Sequence, residues 1–243
     1  MKKVFSIFIV LVLFTYSSTE VKAQYGYHVG TLHHRVSAGP VISFFYNHPQ
    51  MTTGTKRKLG ANVAYKAEIV IARRTNLLVG LEYLSQGLIF KGYYKAPGGT
   101  YLFDGSYAYT HDLRYNELQL PIGLKLAMNS EREYGATPYA LGGVGARYIF
   151  NSYVVITNDS TGTSPYDGKG DIGFEHEFVT KGFNAFFFGG FGLQKNYRDT
   201  GRALFVELTM RYGISRIRYE GYQNSNDIKI KEPNLAITFG FRL

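Results

Sequence analysis

The stretch Glu117-Leu-Gln-Leu-Pro-Ile-Gly-Leu-Lys-Leu126 places a leucine or isoleucine at every second position. The positions between them hold a glutamate, a glutamine, a proline, a glycine and a lysine. A period of two is that of a β-strand with one apolar face and one polar face. Residues 234–243, which end the chain, alternate in the same way and finish on Leu243. Behind an export signal, we expect such a final strand to close a membrane-spanning barrel.

The amino terminus has the three parts of an export signal. Met1-Lys-Lys3 is basic, residues 4–16 are almost entirely apolar, and Val21-Lys-Ala23 supplies small residues for a cleavage site. The apolar run is shorter than the roughly 20 residues that a membrane-spanning helix needs, which disfavours a retained anchor. The predicted divisions are a signal peptide at residues 1–23, a periplasmic lead-in at residues 24–34 and a barrel at residues 35–243.

Eight strand-like segments follow the signal. They cover residues 35–46, 59–73, 76–91, 107–128, 138–155, 183–197, 202–218 and 234–243. The connections alternate between long and short, as they do in outer-membrane barrels, where turns are short on the periplasmic side and loops are longer outside. We therefore predict an all-β, antiparallel, up-and-down barrel of eight strands that spans the bacterial outer membrane, with both termini in the periplasm.

The two faces of these strands predict two different environments. The apolar face is expected to contact lipid, through Leu118, Leu120, Ile122, Leu124, Leu126, Leu204, Val206, Leu208, Leu235, Ile237, Phe239 and Phe241. The polar face is expected to fill the lumen with an ion-pair network of Arg35, Lys66, Glu68, Glu82, Glu117, Lys125, Glu207, Arg211 and Arg242. An eight-stranded barrel is only wide enough to be filled by side chains, and buried charges must pair.

Two features interrupt this pattern. Pro40 and Pro121 fall inside predicted strands, where each lacks an N–H for the ladder, so we expect a β-bulge at each. The glycine-rich runs Leu141-Gly-Gly-Val-Gly145 and Phe186-Phe-Phe-Gly-Gly-Phe-Gly192 do not reveal which face is polar. Their glycines are expected to mark bends or tight contacts.

The charge favours some partners over others. The chain carries a formal net charge of +9 and no cysteine, which excludes disulfides and thiolate metal sites. Its cations are dispersed along the sequence, with Lys56-Arg-Lys58 the longest run, so nucleic acid is not an expected partner. The expected partners are outer-membrane lipids and anionic lipopolysaccharide, together with an envelope protein.

Residues that could carry chemistry are few. Ser106, His111 and Asp112 could form a nucleophile system in an outer-membrane lipid-modifying enzyme, which is the alternative function. Glu175-His-Glu177 could bind a divalent ion, although a solvated charged loop is the more ordinary interpretation. Neither pattern has the spacing of an established motif, so we expect no catalytic residue, no metal and no cofactor.

Four stretches of the sequence resemble a known family. They are Val79-Gly-Leu-Glu-Tyr-Leu-Ser-Gln-Gly87, Tyr115-Asn-Glu-Leu-Gln-Leu-Pro-Ile-Gly-Leu-Lys125, Pro138-Tyr-Ala-Leu-Gly-Gly-Val-Gly145 and Phe187-Phe-Gly-Gly-Phe-Gly-Leu193. Together they are similar to the PorT-like outer-membrane β-barrel domain family of Bacteroidetes-type bacteria. The resemblance implies an eight-stranded barrel without catalytic activity, and it makes a role in secretion or envelope assembly the candidate.

The expected function is therefore non-enzymatic. A barrel with a plugged polar lumen would present its external loops for interaction, and residues 156–182 form the longest of these loops. Tyr166, Asp167 and Lys169 within that loop are candidate contacts, although a loop that only interacts with solvent explains the composition equally well.

Overall fold

The structure is a computed structural model that describes residues 29–44, 52–92, 109–128, 135–159, 161–163, 166–167, 182–197, 202–214, 217–219, 228–230 and 233–243. The predicted signal peptide lies outside these residues. Within the described part of the chain, every regular element is a β-strand. These same residues contain no helix of the length and apolarity that crossing a membrane requires.

Eight long strands form a closed barrel. They are β1 (Leu32–Ser43), β2 (Leu59–Ala72), β3 (Thr75–Gly92), β4 (Tyr109–Ala127), β5 (Gly135–Asn158), β6 (Gly182–Asn196), β7 (Ala203–Gly213) and β8 (Pro233–Arg242). Each pairs antiparallel with the strand before it, and β8 returns to pair antiparallel with β1. The predicted eight-stranded up-and-down barrel is confirmed.

The two ends of the barrel sequence meet at one rim. The backbone N–H of His34 donates to the carbonyl of Leu243 at 3.3 Å, and the N–H of Leu243 donates to the carbonyl of His34 at 2.8 Å. The two-residue turn Arg73-Arg74, which joins β2 to β3, lies at this same end. The rim that holds the start of β1 and the end of β8 is therefore the rim of short turns.

The opposite rim is uneven, because β3, β4 and β5 are the longest strands. Two short strands extend this wall, since Thr52–Arg57 pairs with β3 and Tyr166–Asp167 pairs with β5. The seventh segment is shorter than predicted, as β7 ends at Gly213 and Ile217–Tyr219 pairs with Ile228–Ile230 instead. The first strand starts earlier than predicted, at Leu32.

The predicted bulges at Pro40 and Pro121 are wrong. Pro40 lies opposite Ala61 in an unbroken register, and the register with β8 is the same on both sides of Gly39 and Pro40, which simply do not pair with it. Pro121 lies opposite Gly145 of β5. On its other side, the pairing of β4 with β3 is interrupted beside Pro121 and resumes in the same register. An unmade pair leaves every other side chain on its own face, whereas an inserted residue would reverse the faces beyond it.

A bulge does occur at Phe150 in β5. Ile149 lies opposite Glu117 and Asn151 lies opposite Asn116, so Phe150 is the extra residue between them. Ile149 is buried, whereas Phe150 and Asn151 are both exposed on the outer surface. The bulge therefore reverses the inward–outward alternation of β5 at this level of the barrel.

The outer surface of the barrel is apolar along most of its height. On β4, the five aliphatic side chains from Leu118 to Leu126 are 39–52% exposed. The remaining residues assigned to the lipid face point outward as well: Leu204, Leu208, Ile237 and Phe239 are exposed, and Val206, Leu235 and Phe241 are half-buried. Leu118 to Leu126 covers about 27 Å of strand, or about 21 Å of height at a tilt of about 40°, close to the apolar band of about 25 Å in outer-membrane barrels.

Glycines on β5 and β6 make room for aromatic rings inside the barrel. Gly192 lies opposite Tyr139, and a Cβ added there would be 2.3 Å from Cζ of the tyrosine ring. Gly145 lies opposite Phe186, and a Cβ there would be 2.4 Å from Cζ of that ring. Each ring thus lies over a glycine of the neighbouring strand, which explains why the sequence of these strands shows no clear alternation.

Ile122→Arg places a charge in the middle of the apolar outer surface. We expect it to reduce the free energy of unfolding by about 2–4 kcal/mol, the cost of an arginine at the midplane of a bilayer. The measurement is urea unfolding of the protein refolded into lipid vesicles. The matched control is Asn151→Arg, on the same outer surface near its polar edge, where the cost is about 0–1 kcal/mol. Equal stabilities for the two variants would contradict the face assignment.

Candidate functional site

The most unusual feature of the barrel is the charge buried inside it. All nine residues assigned to the lumen lie on the inner face, and each has a relative exposure of 5% or less. The structure adds a tenth charged residue, Arg147, which is 2% exposed. Sequence reasoning missed Arg147 because the glycines of β5 obscure the alternation of apolar and polar residues along that strand. The signal was present, since Arg147 lies an even number of residues from Tyr139 and Leu141.

The first cluster centres on Glu68 near the rim of short turns. Its Oε1 accepts from Nζ of Lys125 at 2.7 Å and from Nδ2 of Asn76 at 2.5 Å. Nε of Arg35 lies 3.4 Å from Oε2, and a guanidinium nitrogen of Arg242 lies 3.8 Å from Oε1. Three cations from β1, β4 and β8 thus converge on one carboxylate of β2.

The second cluster ties Arg35 to Glu207 and Tyr139. The Arg35 guanidinium donates to Oε1 of Glu207 at 2.6 Å and to the Tyr139 hydroxyl at 3.0 Å. That hydroxyl donates in turn to Oε1 of Glu207 at 2.9 Å. The guanidinium carbon also lies 3.8 Å from the centroid of the Phe205 ring, within cation–π range. Strands β1, β5 and β7 are joined across the lumen by these contacts.

The third cluster lies around Glu82 of β3. Nζ of Lys66 lies 2.9 Å from Oε1, and the Arg211 guanidinium donates to Oε2 at 2.6 Å. Lys66 also lies 3.6 Å from Oε2 of Glu207, which connects this cluster to the second one. The carboxylate is therefore paired with Lys66 of the neighbouring strand β2 and with Arg211 of β7, which lies across the lumen from β3.

The fourth cluster surrounds Glu117, toward the rim of long connections. Gln86 donates to its Oε1 at 3.0 Å and Gln119 donates to the same atom at 2.5 Å. A guanidinium nitrogen of Arg147 lies 3.5 Å from Oε2. The Gln86 carbonyl accepts from Ser43 and from Asn234, each at 3.2 Å. Amides thus supply most of the hydrogen bonds here, in contrast to the cation-rich cluster at Glu68.

Together the four clusters form a polar column that crosses the lumen. One wall of the lumen beside it is apolar and includes Leu78, Tyr139, Leu141, Phe186 and Phe188. Every buried carboxylate among the described residues contacts at least one cation. Each of these carboxylates is 1% exposed or less, so a substrate cannot reach it as it would have to reach a general base. This arrangement therefore holds the strands together through ion pairs and hydrogen bonds, and it closes the lumen.

Other candidate residues are placed only in part. Outside the described residues lie Ser106, the side chain of His111 and Glu175-His-Glu177. Asp112 is described, and it pairs with Lys58 and Arg114 on the outer surface. Tyr166 and Asp167 lie in the short strand beside β5, and Lys169 is not described. The described residues contain no group of three or more side chains that could hold a metal ion.

The two kinds of cluster predict unequal costs of removing a charge. Glu68→Gln leaves three buried cations around a neutral amide, and we expect it to lower the free energy of unfolding by about 3–5 kcal/mol. Glu117→Gln is the matched control, because that carboxylate is equally buried but is held mainly by amides, and its loss should cost less. Urea unfolding in vesicles measures both. A cost at Glu117 that equals or exceeds the cost at Glu68 would contradict the assignment of Glu68 as the main junction.

The sequence matches one protein family, and its fold is distantly similar to several solved structures. The sequence matches the family described as "Outer membrane protein beta-barrel domain" over residues 17–219. Among solved structures, Neisserial surface protein A is 12% identical, with 87% of this chain and 96% of that chain covered and a TM-score of 0.46. OprG from Pseudomonas aeruginosa is 10% identical, with 90% and 98% covered and a TM-score of 0.45. The attachment invasion locus protein Ail of Yersinia pestis is 14% identical, with 89% and 100% covered and a TM-score of 0.39.

A comparison with curated protein sequences found no match. The family match carries the assignment because it covers most of the chain, including seven of the eight barrel strands. The chain therefore belongs to the family of outer membrane protein beta-barrel domains, which indicates the bacterial outer membrane as its location.

Proposed function

We propose that the protein is a non-enzymatic scaffold, a closed barrel that holds its long connections at the outer face of the membrane for interaction. The observation that carries this proposal is the buried ion-pair network, which joins strands on all sides of the lumen. Glu68, Glu82, Glu117 and Glu207 are 1% exposed or less and each contacts at least one cation, so the interior is filled by ion pairs and is not a water-lined path. A rigid wall is what a protein needs in order to fix the ends of long loops in space.

The proposal also includes the location of the protein and its partners. Residues 1–23 act as a cleaved signal peptide, and the finer family assignment is to PorT-like barrels of the kind that serve secretion or envelope assembly. The rim that contains Arg73-Arg74 and both barrel termini faces the periplasm, because short turns lie on that side of outer-membrane barrels. The opposite rim meets lipopolysaccharide, and an envelope protein binds to the loops or to the periplasmic turns.

A closed lumen predicts the absence of conduction. We expect the purified wild-type protein to give no stable conductance steps in planar lipid bilayers, because the ion pairs of the network occupy the lumen. A variant that removes two central side chains, Arg35→Ala with Glu207→Ala, deletes a matched pair without leaving either charge alone. It should raise the frequency of conducting events. Regular conductance steps in the wild-type protein would overturn the proposed closed scaffold.

The orientation can be tested directly, because the chain contains no cysteine. Thr163→Cys places a thiol in the long connection after β5, where residue 163 is exposed. It should react with a membrane-impermeant maleimide on intact cells. Arg74→Cys, in the exposed turn at the other rim, is the control and should react only after the outer membrane has been permeabilised. The reverse pattern of labelling would show that the termini are external.

A further inference from the structure

The outer surface of the barrel changes from apolar to polar at one level on three neighbouring strands. Ser85 of β3 lies opposite Asn116 of β4, and Asn116 lies opposite Asn151 of β5. We call these three residues the boundary row. Immediately on its apolar side, Tyr83 lies opposite Leu118, and the Tyr83 hydroxyl donates to Oδ1 of Asn116 at 3.0 Å. A tyrosine whose ring is on the apolar side and whose hydroxyl is on the polar side is typical of a membrane interface.

A charged cluster lies directly above the boundary row, that is, on its side toward the rim of long connections. Arg114 is the next outward residue of β4 after Asn116, and Asp112 follows it at the same spacing. Two residues of strand span about 6.8 Å, or about 5 Å of height at a tilt of about 40°. The headgroup region adds about 5–8 Å on each side of the hydrocarbon core. The Arg114 guanidinium is therefore at the depth of lipid headgroups.

The cluster is held in place by its neighbours. One guanidinium nitrogen of Arg114 lies 3.5 Å from Oδ2 of Asp112, and its guanidinium carbon lies 5.5 Å from the centroid of the Tyr153 ring. The ammonium of Lys58 pairs with the other carboxylate oxygen, Oδ1. The Lys58 chain crosses β3 at Gly87, where an added Cβ would lie 3.1 Å from its Cδ. A glycine at this position leaves the lysine room to reach Asp112.

The charge balance of this cluster is positive. Two cations share one carboxylate, so Lys58, Asp112 and Arg114 have a net charge of +1 together. Lys58 and Asp112 are 15% and 27% exposed, whereas Arg114 is 52% exposed and presents the rest of its N–H donors to the surface. Asp112 orients the guanidinium from one side and Tyr153 supports its plane, which leaves a fork of donors suited to a phosphate group.

We infer that Arg114, with Lys58 and Asp112, binds a phosphate group of a phosphorylated glycolipid in the outer leaflet. The inference rests on the proposed orientation, since only then does this rim face that leaflet. The position of the cluster relative to the apolar surface favours a lipid over a free ion. The phosphate contact lies at headgroup depth, directly above the apolar residues Leu118 and Leu120, where the acyl chains of the same molecule would lie.

The experiment measures retention of diphosphoryl lipid A by the full-length protein in a neutral maltoside detergent, using native mass spectrometry. We expect Arg114→Gln to retain about tenfold less lipid A than the wild type, because one charge-assisted contact is lost. Arg114→Lys keeps the charge without the planar fork and should lie between the two. Arg73→Gln, which removes an exposed arginine from the opposite rim, is the matched control and should retain as much as the wild type.

Two further arms separate the sources of phosphate. Lipid A without its phosphates should bind to wild type and Arg114→Gln equally, and millimolar inorganic phosphate should not displace the diphosphoryl lipid. Equal retention of diphosphoryl lipid A by Arg114→Gln and wild type would overturn the inference. Displacement by inorganic phosphate would overturn the assignment to a lipid.

This test is separate from the test of the proposed function. Lipid retention in detergent does not depend on whether the lumen conducts or on which rim is external. Conductance steps in the wild type would count against the closed scaffold and leave the retention result as it stands. A loss of the difference between Arg114→Gln and Arg73→Gln would count against the phosphate site alone.

Discussion

Burial of charge inside a narrow barrel is the constraint on which the rest of this structure depends. An isolated carboxylate inside a protein costs many kcal/mol, and attraction between buried ions offsets that cost only when geometry and hydrogen bonding are good. Glu68 meets this condition by contacting cations from three strands, and Glu82 does so with Lys66 and Arg211. Three of these pairs, Glu68–Lys125, Glu68–Arg242 and Glu82–Arg211, join strands that are not neighbours in the sheet. The network therefore couples closure of the sheet to neutralisation of the lumen.

The apolar wall beside the network follows from the same limit on space. At two levels of this narrow lumen, a large ring occupies the space that a Cβ on the adjacent strand would need. Gly192 opposite Tyr139 and Gly145 opposite Phe186 resolve this conflict, because each ring occupies the place where a side chain would stand. Tyr139 therefore belongs both to the apolar wall and to the ion-pair network. Its ring packs over a glycine, and its hydroxyl lies between Arg35 and Glu207.

The sequence predicts features that follow from local alternation, and it fails where a contact between strands decides the structure. Period two in β4 and β7 identifies the outward and inward faces because each position reports its own environment. Arg147 was missed because Gly145 before it is explained only by the Phe186 ring of β6, which lies opposite in the sheet. The prolines misled for a related reason. Whether Pro40 causes a bulge depends on whether β8 can leave a pair unmade, and no local pattern reports that.

The Phe150 bulge connects the lumen to the outer surface. Below it, the odd-numbered residues of β5 that are buried include Arg147 and Ile149; above it, Asn151 and Tyr153 of the same parity lie outside. Without the extra residue, Tyr153 would point into the barrel, and Arg114 would have no ring beside it on the outer surface. The reversal also occurs at the level of the boundary row, where the outer surface becomes polar. One inserted residue therefore allows β5 to contribute Arg147 to the network inside the membrane and an aromatic support to a charged cluster above it.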